Sequence, residues 1–266
     1  MRPAFIPSYI AKHLKPADWY INNIPELRIR MQSFQSETPS VSVIIPAYNE
    51  EENILRTLSS IAANSTKYKT EIIVVDNNSI DNTKKLVQQS GATYIFEGKK
   101  GVKNARNTGL QSAKGKYIIN ADADTIYSPF WIDELITPLY NNSEIAVSYG
   151  RFAFLPEKNT NRLAFYLYEL LGDIYKGINA VRKDKAMYIY GCSSAYRREQ
   201  GLAVNGYEHP LGANEDGYLG LKLRNKFGKL NKVTTAKSFA WTSGRKFVAD
   251  GTLTNRIFKK IKSSEK

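Results

Sequence analysis

Two aspartates one residue apart, Asp122-Ala123-Asp124, follow the apolar run Tyr117-Ile118-Ile119-Asn120-Ala121. Residues i and i+2 of an extended chain point to the same face, so both carboxylates stand together where a strand leaves its sheet. Side by side, they repel unless a cation sits nearby. Hard oxygen donors of this kind suit Mg²⁺ or Mn²⁺, ions that keep positions open for substrate phosphate oxygens. Asp-x-Asp alone is mostly a pattern of solvated loops. Its place at the end of a buried strand is what points to a metal.

Three further stretches carry candidate chemistry. Asp76 ends the run Glu71-Ile72-Ile73-Val74-Val75, where a carboxylate can accept hydrogen bonds from a base or ribose. Asn77 and Asn78 tolerate left-handed backbone and let the chain turn tightly there, so Asp76 can equally serve to cap the next helix. Gly98-Lys99-Lys100-Gly101-Val102-Lys103-Asn104-Ala105-Arg106-Asn107 is a basic, glycine-containing approach to a helix, and free N–H groups with cations favour phosphate. It is neither a Walker loop nor a Gly-x-Gly-x-x-Gly turn. Glu215-Asp216 opens another helix, where acids are often only caps or dipole partners.

The elements that must position these groups alternate. Residues 41–46, 71–76, 93–96 and 116–121 read as short strands, the first two β-branched and buried. Residues 50–63, 79–89 and 103–112 read as the helices between them, with Asp81 near the start of the second as the helix dipole favours. That alternation predicts a mostly parallel sheet with helices on both faces. Open sheets of this kind bind ligands at the carboxyl ends of their strands. Further on, residues 145–155 read as extended, 162–178 as a helix apolar on most sides, and 215–227 as a last helix.

Composition is that of an ordinary globular chain of 266 residues, long enough for one main domain, with 42% hydrophobic and 24% charged residues. The net charge of +13 is concentrated: residues 222–266 hold thirteen Lys or Arg against Asp250 and Glu265. Such a segment is either a solvated tail or is drawn to nucleotide phosphates or an anionic membrane surface. No nucleic-acid-binding spacing accompanies it, so no nucleic-acid partner is expected. Cys192 is the only cysteine, which rules out an intrachain disulfide, and its neighbours Gly191 and Ser193 suggest a small buried residue, not a reactive thiol. No apolar run reaches the ~18–20 residues that span a bilayer. Pro3, Pro7, Lys12 and Lys15 interrupt any signal-like start, so a cytoplasmic protein is expected. In the tail, Leu253, Ile257 and Ile261 share one helical face among basic residues, which fits an interfacial helix at the inner membrane face or one docked on the core.

Val43-Ile44-Ile45-Pro46-Ala47-Tyr48-Asn49-Glu50, Val75-Asp76-Asn77-Asn78-Ser79, Ala105-Arg106-Asn107-Thr108-Gly109 and Asp122-Ala123-Asp124, in that order and spacing, resemble the family 2 glycosyltransferases. Gly191-Cys192-Ser193-Ser194, Glu215-Asp216-Gly217-Tyr218 and Thr242-Ser243-Gly244-Arg245-Lys246 resemble later segments of that family. The resemblance implies an α/β fold of the GT-A type, a Rossmann-like sheet flanked by helices in a single main domain, with inverting chemistry and a divalent metal, Mn²⁺ or Mg²⁺. It places the domain at residues 39–245, after an N-terminal extension (1–38) and before a basic tail (246–266). Carried over by residue, Pro46, Tyr48, Glu50 and Asp76 line the nucleoside pocket and Arg106 helps to hold the base or diphosphate. Ala47, Asn78, Lys103, Ala123 and Arg245 complete the expected substrate-binding set. Asp122 serves donor and metal, Asp124 is the direct metal ligand, and Asp216, or failing that Glu215, is the general base. The donor is expected to be a nucleotide sugar, as a family-level expectation a UDP-sugar. The acceptor is expected to be a glycan or a lipid-linked saccharide. Asn78 stands where the family often has Gly, and Gln-x-x-Arg-Trp is absent, which argues against a processive synthase. Two other readings are a catalytically silent nucleotide-sugar binding module and a sugar nucleotidyltransferase.

Overall fold

The computed structural model describes residues 2–157, 160–178 and 184–245. Its main sheet has seven strands: β1 (Val41–Ala47), β2 (Thr70–Asp76), β3 (Thr93–Phe96), β4 (Tyr117–Asn120), β6 (Ile145–Tyr149), β8 (Ser194–Arg197) and β9 (Lys229–Lys232), in the order β3-β2-β1-β4-β8-β6-β9. A smaller sheet joins β5 (Thr125–Tyr127), β10 (Ala240–Thr242) and β7 (Phe152–Phe154) in the order β5-β10-β7. The helices are α1 (Ser8–Ala11), α2 (Ala17–Asn22), α3 (Ile24–Phe34), α4 (Ile54–Ala62), α5 (Thr83–Ser90), α6 (Val102–Ser112), α7 (Trp131–Asn141), α8 (Arg162–Ile178), α9 (Arg198–Ala203) and α10 (Glu215–Phe227).

Strand periodicity explains the layers. Val43, Ile45, Ile72 and Val74 pack into one core and Ile44, Ile73 and Val75 into another, because alternate residues face opposite sides of the sheet and helices cover both. Helix α4 contributes Ile54, Leu58 and Ile61, all fully buried at helical spacing, each stabilising by about 1.5–3 kcal/mol. Strands β3, β2, β1 and β4 are parallel, so the loops after β1, β2 and β4 emerge along one edge. Strand β8 runs antiparallel to both β4 and β6.

Several boundaries differ from those expected, each for a local reason. The helices expected at 50–63 and 79–89 begin only at Ile54 and Thr83. The residues before them form two loops that hold each other. Asn49 N–H donates to Ser79 Oγ (2.9 Å), Ile80 N–H to Asn49 Oδ1 (2.9 Å), Glu51 N–H to Asp81 Oδ2 (3.0 Å) and Asn82 N–H to Glu51 Oε2 (3.0 Å). Side chains of Asn, Asp and Ser compete here with helical backbone bonds, and they win. The extended stretch 145–155 splits at Gly150 into β6 and β7, which belong to different sheets. A Cβ at Gly150 would lie 2.5 Å from Ser193 Oγ and 2.7 Å from Ser238 O, so the crossing tolerates no side chain.

The first 38 residues are not bare lead-in. Tyr20, Leu27 and Met31 are buried in the same core as β1 and α4, and Gln35 donates to Gly91 O (2.7 Å) and accepts from Ile72 N–H (3.1 Å). Arg2 reaches across to α8, donating to Asp173 at 2.7 and 2.9 Å. No helix among the described residues is long and apolar enough to cross a membrane. The basic tail with Leu253, Ile257 and Ile261 lies outside the described residues.

Candidate active site

The turn after β4 is pinned before its carboxylates are placed. Asp122 N–H donates to Tyr127 OH (2.8 Å), and Thr57 Oγ1 on α4 donates to Ala123 O (2.8 Å). From α6, Arg106 enters fully buried and donates through Nη2 to Asp122 Oδ1 at 3.0 Å. Helix α6 lies close on the sheet at Gly109, where a Cβ would come within 2.4 Å of Ile44 Cγ2. The Tyr207 ring lies against the same guanidinium, 5.9 Å from its carbon.

Asp216, on the first turn of α10, completes this cluster: its Oδ1 is 3.4 Å from Arg106 Nε. The capping role open to Glu215-Asp216 falls instead to Asn214, whose side chain accepts from the N–H groups of Asp216 (3.0 Å) and Gly217 (3.3 Å). The Asp216 carboxylate is therefore released from helix capping. Burial raises its pKa to about 6; Arg106 opposes the rise, while Asp122 and Glu215 add to it. Among the described residues, Asp216 Oδ1 accepts no hydrogen bond. A buried, unsatisfied carboxylate oxygen with a pKa near neutrality has the properties of a proton acceptor. Glu215 is half-buried beside it.

Gly191 closes the wall over this pair. A Cβ there would meet Arg106 Nη2 at 2.1 Å and Asp216 Oδ2 at 2.4 Å. Gly191→Ala is therefore expected to displace the Arg106–Asp216 pair and remove most activity, with a lowered melting temperature. Kinetics matching wild type would show that the wall yields. Cys192 beside it is buried, and burial pushes its thiol well up, which leaves no thiolate nucleophile.

A second cluster forms where the two sheets meet. Register Thr242↔Thr125 brings the end of β10 to the start of β5, and Ser243 N–H donates to Asp124 O (3.2 Å). Arg245 thereby stands 3.3 Å from Asp124 Oδ2 and also pairs with Glu50. Burial and the nearby Asp124 charge raise the Glu50 pKa, while Arg245 and Asn53 lower it. Glu157 secures the Arg245 approach, accepting from Ser243 Oγ (2.7 Å) and Gly244 N–H (3.0 Å).

The third part lies at the end of β2. Ala47 pairs in register with Asp76, which is buried and accepts from Ser79 N–H (3.0 Å) and Tyr94 OH (2.9 Å). Asn78 has φ +67°, the left-handed turn that its amide tolerates, and donates to Glu97 O and Gly98 O. Asn77 accepts from Gly101 N–H (2.7 Å), so both asparagines bracket the basic loop before α6. Tyr48 is exposed at this edge, beside half-buried Pro46. Lys103 is turned to Glu208, 2.9 Å away.

Asp122, Arg106 and Asp216 thus converge, as do Glu50, Asp124 and Arg245; Pro46, Ala47, Asp76 and Asn78 share the neighbouring strand ends. Sequence reasoning missed Tyr94, Tyr207, Glu157 and the steric role of Gly191. Asn214 was missed too, although an asparagine directly before a helix is a cap signal that could have found it. Among the described residues no three His, Cys, Asp or Glu side chains gather as a self-sufficient metal cage. The two carboxylates expected on one face lie in the turn after β4 and are held by different cations, Asp122 by Arg106 and Asp124 by Arg245, so either would meet a hard cation only in exchange for its arginine contact.

A parallel half-sheet with acidic turns at its carboxyl edge, extended by antiparallel strands and a small second sheet, is the GT-A glycosyltransferase fold. Residues 42–200, more than half of the chain, match the model of Glycosyl transferase family 2, and the protein belongs to that family. The chain is 35% identical over 111 residues to Glycosyltransferase AglE of Haloferax volcanii, covering 39% of this chain and 36% of that one. It is 36% identical over 112 residues to Dolichol-phosphate mannosyltransferase of Pyrococcus furiosus, covering 40% and 32%. It therefore spans well under two thirds of the length of these relatives. Among solved structures, S. aureus TarS in complex with UDP-GlcNAc superposes with TM-score 0.59 at 17% identity, covering 77% of this chain and 58% of that one. Glucosyl-3-phosphoglycerate synthase from Mycobacterium tuberculosis, bound to Mn²⁺, UDP-glucose and phosphoglyceric acid, superposes with TM-score 0.57 at 19% identity, covering 88% and 81%.

Proposed function

We propose that this protein is a non-processive, inverting glycosyltransferase that moves a sugar from a nucleotide diphosphate sugar to a hydroxyl acceptor. The observation that carries the reading is the buried Asp216 carboxylate, free of capping, paired with Arg106, with an oxygen that accepts no hydrogen bond among the described residues and a pKa of about 6. A single displacement at the anomeric carbon needs one base. Asp216 takes the proton of the acceptor hydroxyl as that oxygen attacks from the face opposite the leaving diphosphate. Arg106 holds Asp216 in place and offsets charge at Asp122. Glu50, Asp76, Tyr48 and the asparagine-bracketed loop form the nucleoside side.

Asp124 and Asp122 would hold Mn²⁺ or Mg²⁺, which neutralises charge on a departing diphosphate. A UDP-sugar donor is supported by the ligands named for the two solved neighbours. A lipid-linked or glycan acceptor at the membrane surface is supported by the dolichol-phosphate named for the Pyrococcus relative and by the basic C-terminal segment.

The reading is tested by incubating the protein with UDP-sugars and Mn²⁺ and measuring UDP release, by hydrolysis or by transfer to added acceptors. No UDP-sugar binding and no UDP release would sink it. A narrower expectation concerns the metal. Asp124→Asn should weaken Mn²⁺-dependent donor binding by about tenfold or more, the loss of one charge-assisted contact of about 1.5–3 kcal/mol. Calorimetry giving equal affinities with the metal present would remove Asp124 from that role.

A further inference from the structure

Beside the base lies a cavity of about 560 Å³, between α8 and the far strands of the main sheet. Its place follows from register. Asn120 at the end of β4 pairs with Ser194, Ser194 with Tyr149, and Tyr149 with Lys232. These four residues cross the carboxyl edge of β4 in one row, three strand spacings or ~14 Å in all. The cavity opens on the Tyr149–Lys232 end of that row.

One turn separates it from the catalytic pair. Ser193 N–H donates to Tyr190 O (3.2 Å), closing a turn in which Tyr190 lines the cavity and Gly191 packs on Arg106 and Asp216.

The lining is strongly cationic, with Arg2, Arg151, Lys176, Lys185 and Lys232. Asp173 is the one carboxylate lining it among the described residues, and it is already shared by Arg2 and Arg151. Glu169 behind it is engaged by Arg162 and Arg2. Among the described residues Lys185 and Lys232 are therefore left in excess of the carboxylates, while Lys176 lies against the rings of Phe152, Tyr188 and Tyr190. Partial burial, and then the neighbouring cations Arg151, Lys176 and Arg2, lower the pKa of Lys232, with Asp173 opposing. Concentrated like charge in a concave site attracts an anion. Tyr188 and Tyr190 add aromatic walls.

The adjoining helix supplies a second, independent feature. Helix α8 turns its charged residues Arg162, Glu169 and Asp173 toward the protein and leaves Leu163, Leu167, Leu171, Ile174 and Ile178 each more than half exposed. A surface helix ordinarily does the reverse.

We infer that this cavity binds the phosphate of a phosphate-bearing acceptor, whose hydroxyl then lies across the Tyr190–Ser193 turn at Asp216. The inference rests on the reading of Asp216 as the base. Phosphate can arrive on a soluble sugar phosphate or as the phosphate that links a sugar to a lipid, and in either case the sugar supplies the hydroxyl. In the second case the hydrocarbon continues onto the leucine face of α8.

The test is calorimetry on the full chain with UDP saturating the donor site, titrating geranyl phosphate and, separately, inorganic phosphate. Lys185→Gln/Lys232→Gln should weaken phosphate binding by about tenfold or more, with UDP affinity unchanged. Both lysines stand at the solvent-facing rim, so the fold is not at stake. Tighter binding of geranyl phosphate than of inorganic phosphate, lost in Leu167→Gln/Leu171→Gln, assigns a lipid source. Equal binding of the two, still lost in the lysine variant, assigns a soluble one. If neither probe binds, or the lysine variant binds both as wild type does, the inference is overturned. Failure of the wild type to bind UDP would instead overturn the donor reading.

Discussion

Asp216→Asn is expected to lower sugar transfer by about 10²- to 10⁴-fold, the usual worth of a positioned general base, while donor affinity stays near that of wild type. Asparagine keeps the shape of the side chain but cannot take a proton. The cap on α10 is untouched, because Asn214 and not Asp216 provides it. Arg106 keeps its contact with Asp122, so the donor side should survive. The wild-type rate should carry the signature of the same group. A base acts only when ionised, and burial has raised this carboxyl to about pH 6. Activity should therefore rise with pH through about 6 and level off above it, and that acidic limb should vanish from the residual rate of the variant. Transfer at saturating donor, followed from pH 5 to 8, reads both effects. Wild-type transfer by the variant would move the base elsewhere, Glu215 being next in line.

Arg106→Met should be the most destabilising single change at the site, by about 3–5 kcal/mol, because it leaves a buried carboxylate without its counter-charge. The weight falls on the Arg106–Asp216 pair, whose side chains are 2% and 9% exposed. Asp122, at 40%, is screened by water and adds little. Methionine fills much of the volume, so the loss should report the charge more than a cavity. Urea unfolding with an unchanged slope would measure it. The same variant makes a second, separable statement. Arg106 at present holds the Asp216 pKa down against burial. Its removal should move the acidic limb of the rate profile to higher pH. Destabilisation with an unmoved limb would mean that Arg106 acts as a strut and not on the base.

Much of the scaffold was legible because its signals are local. β-branched runs marked β1 and β2, the apolar residues of 162–178 marked α8 from its observed start, and 215–227 was read as the helix that is α10. Where side chains compete with the backbone, as at Asn49 and Ser79–Asn82, periodicity overran the true helix starts. The N-terminal residues were harder still. Their apolar positions, Tyr20, Leu27 and Met31, are too sparse to show a face until the sheet domain is there to receive them.

By itself the sequence determined which residues stand at the ends of the parallel strands, since a strand's length and its closing carboxylate are written in consecutive positions. Asp76 closes β2 in this way, and Asp122 and Asp124 follow β4 within four residues, in the turn that leads to β5. Only the tertiary structure decided which cation meets which carboxylate. Arg245 reaches Glu50, 195 positions away, because β10 pairs with β5. Arg106 reaches Asp216 through a wall that only a glycine at 191 leaves thin enough. Such pairings depend on strand order and on the antiparallel insertion of β8. Contacts between residues so far apart leave no periodic trace in the chain.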